Sequence, residues 1–307
     1  MWRVKKVGSL FKLTAHGFID DNCFKLAAAL SYYTVFALGP LLIIIMSLAG
    51  IFYGREAVQG QLYGEIEVLV GGEIARQIQD IIANIQRSQT STSGAIVGSI
   101  ILVIGATGVF TEMQDSINYI WSVKAKPKKG WLKLLMDRLL SFSLVVGMGF
   151  VLLVSLVVNA LLNLLSARLT QLLSNDTVSF FNSINFLIIL VVISFLFAII
   201  FKVLPDAVIS WKDAMIGAIL TATLFIIGKV GIGFYLGRAD LDITYGTAAS
   251  IIIILVWVYY SALILFFGAE FTKMYAIHAG SGIRPKDTAV FIIKKESKEV
   301  PESYLNL

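Results

Sequence analysis

The chain has 307 residues, 57% of them hydrophobic and 15% charged, with a formal net charge of +5. Soluble domains run nearer half apolar and a quarter charged, so this composition excludes an ordinary soluble enzyme and points to a membrane protein. Cys23 is the only cysteine, which excludes an intrachain disulfide.

Residues 2–18 set Val4, Val7, Leu10, Phe11 and Phe18 among lysines, a pattern that suits a cytoplasmic helix lying in the membrane interface. The first apolar run starts near Leu26. It is too long for a signal-peptide core and lacks a small-residue cleavage site, so no cleavable signal is expected. A bilayer core of about 30 Å needs roughly 20 apolar helical residues. Six runs qualify, at about 27–52, 95–121, 139–165, 184–204, 213–236 and 247–272. They are continuous rather than alternating, which argues for helices and against barrel strands. The expected fold is therefore all-α, a polytopic bundle of six transmembrane helices with interfacial amphipathic helices. It forms one membrane domain over 1–275, followed by a cytoplasmic tail over 276–307.

Between the first two runs, an external segment of about 54–93 carries Ile74, Ile78, Ile81, Ile82 and Ile85 at helical spacing. The stripe suits the bilayer surface or, more simply, packing on neighbouring helices; "RSQTSTSG" then breaks the helix. The charged tail beyond about 280 is expected to be loosely ordered.

Lys and Arg set the orientation. Nineteen fall in the segments before the first run, after the second, between the fourth and fifth, and after the sixth. Five (Arg55, Arg76, Arg87, Arg168, Arg238) fall in the intervening segments, and Lys229 lies within a run. Both termini are thus expected to be cytoplasmic. Topology accounts for the basic excess, so nucleic acid is not an expected partner.

Polar side chains inside spans turn toward a bundle interior, a partner helix or a wet cavity. "AAALSYYTVFALGPLL" puts Ser31, Tyr32, Tyr33 and Thr34 in series, and Pro40 should bend the helix near Phe36 to Pro40. The hydroxyls suit a cavity lining. Bonding back to their own helix carbonyls, or an interfacial tyrosine belt, would explain them as well. Glu112, Asp115, Asn118 and Tyr119 fall on one helical face at the inner end of the second run. They either line a wet cavity or simply emerge into the cytoplasm. Lys229, flanked by Gly228, Gly231 and Gly233, either snorkels to the outer surface or meets an anionic head group. Gly233 and Gly237 form a small-xxx-small pair that permits close helix approach. Glu270 suits an ion pair with Lys273 or with a basic cytoplasmic segment.

Three stretches together carry a resemblance: "AAALSYYTVFALGPLL", "LPDAVISWKDAMIGAILTATLF" and "YGTAASIIIILVWVYYSALILFFGAEFTKMYA". The chain resembles the YihY/BrkB family of bacterial inner-membrane proteins from the first span to Tyr275. The matching positions are Ser31, Tyr32, Tyr33, Pro40, Pro205, Trp211, Gly217, Tyr245, Gly246, Trp257, Gly268, Ala269 and Glu270. The family once carried the label ribonuclease BN, an assignment regarded as mistaken; transport and a role in envelope lipids have been suggested for it. The resemblance implies a helical membrane fold and an inner-membrane location.

The leading expectation is a transporter or facilitator of a lipid or other amphiphile. Its path would be lined by Ser31, Tyr32, Tyr33, Thr34, Pro40, Glu112, Asp115, Lys229, Tyr245 and Glu270. The alternative is a non-transporting scaffold of envelope machinery. Enzymatic activity is not expected: His16 and His278 stand in separate terminal segments, no metal-ligand motif is present, and nothing resembles a P-loop. No cofactor and no metal are therefore expected. The expected partners are membrane lipids, with a second copy of the chain or an envelope protein.

Overall fold

The computed structural model describes residues 2–37, 67, 71–72, 74–80, 108–126, 175–236, 238 and 249–294. Seven described helices are labelled in chain order. They are α1 (Trp2–Asp20), α2 (Cys23–Ala37), α3 (74–80), α4 (108–120), α5 (Asn175–Val203), α6 (Trp211–Leu236) and α7 (Ala249–His278). Four short strands complete the elements: β1 (Val123–Ala125), β2 (Ala207–Val208), β3 (Arg284–Pro285) and β4 (Ala289–Phe291).

Three of these helices are long and apolar enough to cross a bilayer: Phe186–Val203 within α5, all of α6 and all of α7. They coincide with the last three expected runs. The run at 139–165 lies outside the described residues. Those at 27–52 and 95–121 are described only from their start to Ala37 and from Gly108 onward, so the bend expected near Pro40 also lies outside them.

Local chemistry explains where α5 and α6 stop and start. Pro205 lacks an N–H and disfavours helical backbone at Leu204, and α5 ends at Val203. Ser210 caps the next helix: its Oγ accepts the Asp213 N–H at 3.1 Å, and Asp213 adds negative charge to the first turn. α7 has 30 residues, about 45 Å of helix, so it outruns a hydrocarbon core of about 30 Å.

α5 packs on α6, α6 on α7, and α1 on α7. The α6–α7 crossing uses one short pattern twice, "GAILT" at 217–221 and "GAEFT" at 268–272. Thr272 covers Gly217 and Thr221 covers Gly268, so the two helices run antiparallel with each threonine seated on the other's glycine. The hydroxyls do not compete for this contact. Thr221 Oγ1 donates to Gly217 O and Thr272 Oγ1 to Gly268 O, both at 2.7 Å. Each hydroxyl is thus satisfied inside its own helix even though its oxygen is the atom that lies nearest the facing glycine. In lipid, where apolar burial gives no net drive, such close packing holds helices together. Of the small-residue pair expected at Gly233 and Gly237, Gly237 lies outside the described residues, and no described atom lies within 4 Å of where a Cβ at Gly233 would stand.

The core of the described residues gathers at one end of the bundle. Ile117, Ile120, Trp121, Phe201, Leu204, Ile209 and Phe266 are almost completely buried there. The opposite halves of α5 and α6 expose Phe186, Leu187, Val191, Ile227, Val230 and Phe234, an apolar surface suited to lipid contact. Ile74 and Ile78 of α3 are buried, whereas Ile81, Ile82 and Ile85 lie outside the described residues.

The tail differs from the sequence expectation. Residues 284–291 are not loose: β3 pairs antiparallel with β2 (Ala207↔Pro285) and β4 with β1 (Val123↔Phe291). The strands are two and three residues long, too short for periodicity to reveal, and their partners lie far away in sequence.

Candidate functional site

The packed end of the bundle carries a cluster of charges built from three segments. Glu270, on α7, is 0% exposed. Lys273 lies one turn on; its Nζ donates to Glu270 Oε1 at 3.0 Å and Oε2 at 3.2 Å. The same ammonium reaches Asp21 Oδ2 at 3.2 Å, in the turn between α1 and α2. Lys294, from the tail, donates to Asp21 Oδ1 at 2.6 Å and sits 4.0 Å from the centre of the Tyr119 ring. Two carboxylates and two ammoniums thus alternate along one chain of contacts, which limits the cost of removing them from water.

Two backbone features admit this cluster. A Cβ at Gly17 would collide with Glu270 Oε1, so only glycine lets α1 lie this close to the carboxylate. Asn22 sits at φ 52° and reverses the chain directly after Asp21. Asparagine tolerates that left-handed conformation better than most residues. Aromatic contacts of Phe18 with Phe267 and of Phe11 with Phe271 flank the cluster.

A second set of polar contacts locks the surrounding loops. Asn118 Nδ2 donates to Asp206 Oδ2 at 3.0 Å, and the Asp206 N–H donates back to Asn118 Oδ1 at 2.8 Å. This closed ring, buried at both residues, ties the end of α4 to the α5–α6 connection. Trp121 Nε1 donates to Ala269 O at 3.0 Å, beside Glu270. Asp213 accepts from the Ser281 N–H at 3.0 Å and from its Oγ at 2.6 Å. Lys202 Nζ donates to Ile209 O and lies beside Trp211.

Of the residues the sequence singles out, the structure brings Glu270 into this cluster. Ser31 is buried and donates to Ala28 O at 2.8 Å; Thr34 donates to Leu30 O at 2.7 Å, so both hydroxyls are satisfied within α2. Tyr32 and Tyr33 are 58% and 45% exposed, and Tyr32 packs on Phe36 at 4.9 Å between ring centres. Glu112 is half-buried and Asp115 exposed on α4. Asn118 parts company with them and faces Asp206. Residues 112 and 118 are about 120° apart around a helix, wide enough for one edge of the polar face to turn inward. Lys229 is half-buried in the far half of α6, where Tyr260 covers the neighbouring Gly228. Pro40 and Tyr245 lie outside the described residues.

Asp21, Lys294, Asp206 and Ser281 escape a reading of the sequence. Each lies outside the apolar runs, where charge is ordinary. One signal was present: "DD" followed by Asn, immediately before an apolar helix, puts acid in a turn on an otherwise basic flank.

A bundle of long apolar helices, closed at one end by a buried ionic cluster, defines an integral membrane protein of the all-α class. The sequence profile described as Virulence factor BrkB matches residues 14–290, and the chain belongs to that family. It is similar to proteins named UPF0761 membrane protein. That of Alcanivorax borkumensis is 26% identical over 283 residues, covering 88% of this chain and 61% of the relative. That of Saccharophagus degradans is 27% identical over 293 residues, covering 90% and 64%. A third, from Ralstonia nicotianae, is 27% identical over 274 residues, covering 87% and 59%. The chain thus spans about three fifths of the length of these curated relatives. No solved structure matches it.

Proposed function

We propose that the chain is a six-span protein of the bacterial inner membrane, with both termini cytoplasmic, that moves a lipid or other amphiphile across the bilayer. It does so without enzymatic chemistry or a cofactor of its own. The observation that carries this reading is the complete burial of Glu270 against Lys273 at the end of a membrane-crossing helix. Burying such a pair costs several kcal/mol per ion and adds little stability compared with apolar side chains of the same volume. A chain that needed only to hold its helices together would be better served by leucine. A carboxylate and ammonium that exchange partners are instead suited to a contact with two states, such as the inner gate of a transport path. On this reading Lys229, in the other half of the bilayer, meets an anionic head group, and membrane lipids are the principal partners.

The test is reconstitution of the full chain in liposomes carrying labelled phospholipid. Leaflet exchange well above that of empty vesicles supports the reading. Exchange equal to empty vesicles, across several lipids and pH gradients, overturns it.

A second reading, a non-transporting scaffold of envelope machinery, draws on the exposure of Phe291 and Ile293, 57% and 82%, at the charged end. Apolar residues there suit a protein partner. Silent vesicles, with function lost on replacing both residues by serine, would favour it.

A further inference from the structure

The tail returns across the end of the bundle along a continuous line of contacts. It turns at Gly280 to Gly282, where Asp213 grips Ser281; a Cβ at Gly280 would collide with Asp213, and Gly282 adopts φ 79°. Past that turn, the Lys286 N–H donates to Asp206 O at 2.9 Å, and Lys286 Nζ to Val203 O at 3.2 Å. Next, Lys126 donates its N–H to Thr288 O at 2.7 Å, and Ile292 its N–H to Ser122 O at 2.8 Å. Two residues later Lys294 reaches Asp21. One short segment, covalently continuous with α7, therefore touches the start of α6, the α5–α6 connection, the end of α4 and the α1–α2 turn.

We propose that residues 284–294 act as a latch, with Lys294 on Asp21 as its catch. Closed, the latch doubles the hold of the α1–α2 turn on α7 beside the Glu270–Lys273 pair; open, it leaves that turn held by Lys273 alone. The division of labour at Asp21 supports this. One carboxylate oxygen is held by Lys273 of α7 and the other by Lys294 of the tail, so the tail can let go while the bundle's own contact stays. The ladders behind Lys294 are two and three residues long, and such short pairings are marginal on their own. The end of the strap thus depends on its charged anchor.

The chain carries its own reporter. Cys23 is 0% exposed, lies two residues from Asp21, and has Glu270, Asp21, Lys273 and Lys294 as its charged neighbours. Release of the tail, which leaves the α1–α2 turn on Lys273 alone, is expected to make it more accessible. The inference rests on the gate reading only for what opening would release. Thiol labelling tests the latch and lipid exchange tests the gate, so either can fail alone.

The experiment measures maleimide labelling of Cys23 in the full chain in micelles, read by peptide mass. The wild-type protein should label slowly, Lys294→Arg close to wild type, and Lys294→Gln at least about tenfold faster. That factor corresponds to about 1.4 kcal/mol, the low end for a hydrogen bond to a charged group. Ala125 and Ala289 are direct partners in the β1–β4 ladder and form a non-hydrogen-bonded pair, close enough for a disulfide. Oxidised Ala125→Cys/Ala289→Cys should restore slow labelling of Cys23 in the Lys294→Gln background. Labelling of Lys294→Gln at the wild-type rate overturns the latch. So does labelling that stays fast after the cross-link forms, since exposure would then arise without the strap.

Discussion

The antiparallel α6–α7 crossing makes a quantitative demand on its glycines. A methyl group added at Gly268 would stand 2.9 Å from both Cβ and Cγ2 of Thr221, and would overlap Oγ1. Carbon atoms in contact sit at about 3.5–4.0 Å. Rotating Thr221 moves Cγ2 and the hydroxyl but leaves Cβ in place, and it forfeits the 2.7 Å bond to Gly217 O. The helices must therefore part locally by about 0.6–1 Å, which gives up a quarter to a half of the dispersion attraction there. Overpacking of this kind costs about 1–3 kcal/mol. Alanine's better helix propensity offsets about 1 kcal/mol of that. Gly268→Ala should thus be destabilising by up to about 2 kcal/mol. Gly233→Ala, where no described atom lies within 4 Å, should be neutral or stabilising by up to about 1 kcal/mol. Reversible unfolding in mixed micelles measures both. Thr221→Gly removes the obstructing Cβ, so the double variant Gly268→Ala/Thr221→Gly should show a favourable coupling of about 1 kcal/mol or more. Equal stabilities for Gly268→Ala and Gly233→Ala, or no coupling, would refute the reasoning.

Asn118→Ala leaves the Asp206 carboxylate and N–H without their buried partner and should cost about 2–4 kcal/mol in the same unfolding assay. Ser210→Ala removes the cap of α6 and should cost about 1 kcal/mol, with Ser210→Asp close to wild type. Orientation is open to direct measurement in a Cys23→Ala background: an impermeant thiol reagent applied outside whole cells should label Arg238→Cys and spare Lys212→Cys. Both positions are exposed at opposite ends of α6, and the reverse pattern would invert the proposed topology.

The parts of the fold legible in the sequence are those governed by transfer to lipid. The runs at 184–204, 213–236 and 247–272 coincide with α5, α6 and α7 because a continuous apolar segment of that length has one stable form in a bilayer. Pro205 and Ser210 account for the break between α5 and α6 by equally local chemistry. α7 continues past the apolar run to His278, where its last turns are held by Asp21 through Lys273 and by the Gly280 and Gly282 N–H groups on Tyr275 O and Ala276 O rather than by lipid. Glu270 stood out as an acid near the cytoplasmic end of an apolar run, and Lys273 as a candidate partner. Its other neighbours did not, because Asp21 lies some 250 residues away and Lys294 belongs to a segment with no periodicity. The glycine–threonine crossing was present as a repeated five-residue pattern, but complementarity between the two copies becomes visible only when the helices run antiparallel. Hydroxyls of Ser31 and Thr34 were ambiguous from the start, since a helix carbonyl one turn back is always within reach.

Leaflet exchange in proteoliposomes, compared between wild type and Glu270→Gln, tests the gate most directly. Glutamine keeps the shape of the side chain and removes the charge that holds Lys273 in place, leaving the lysine to Asp21 alone. Lipid exchange severalfold faster than wild type, in protein that still unfolds cooperatively, is the predicted result. Exchange by Glu270→Gln indistinguishable from wild type would show that the ion pair is structural and is not the gate.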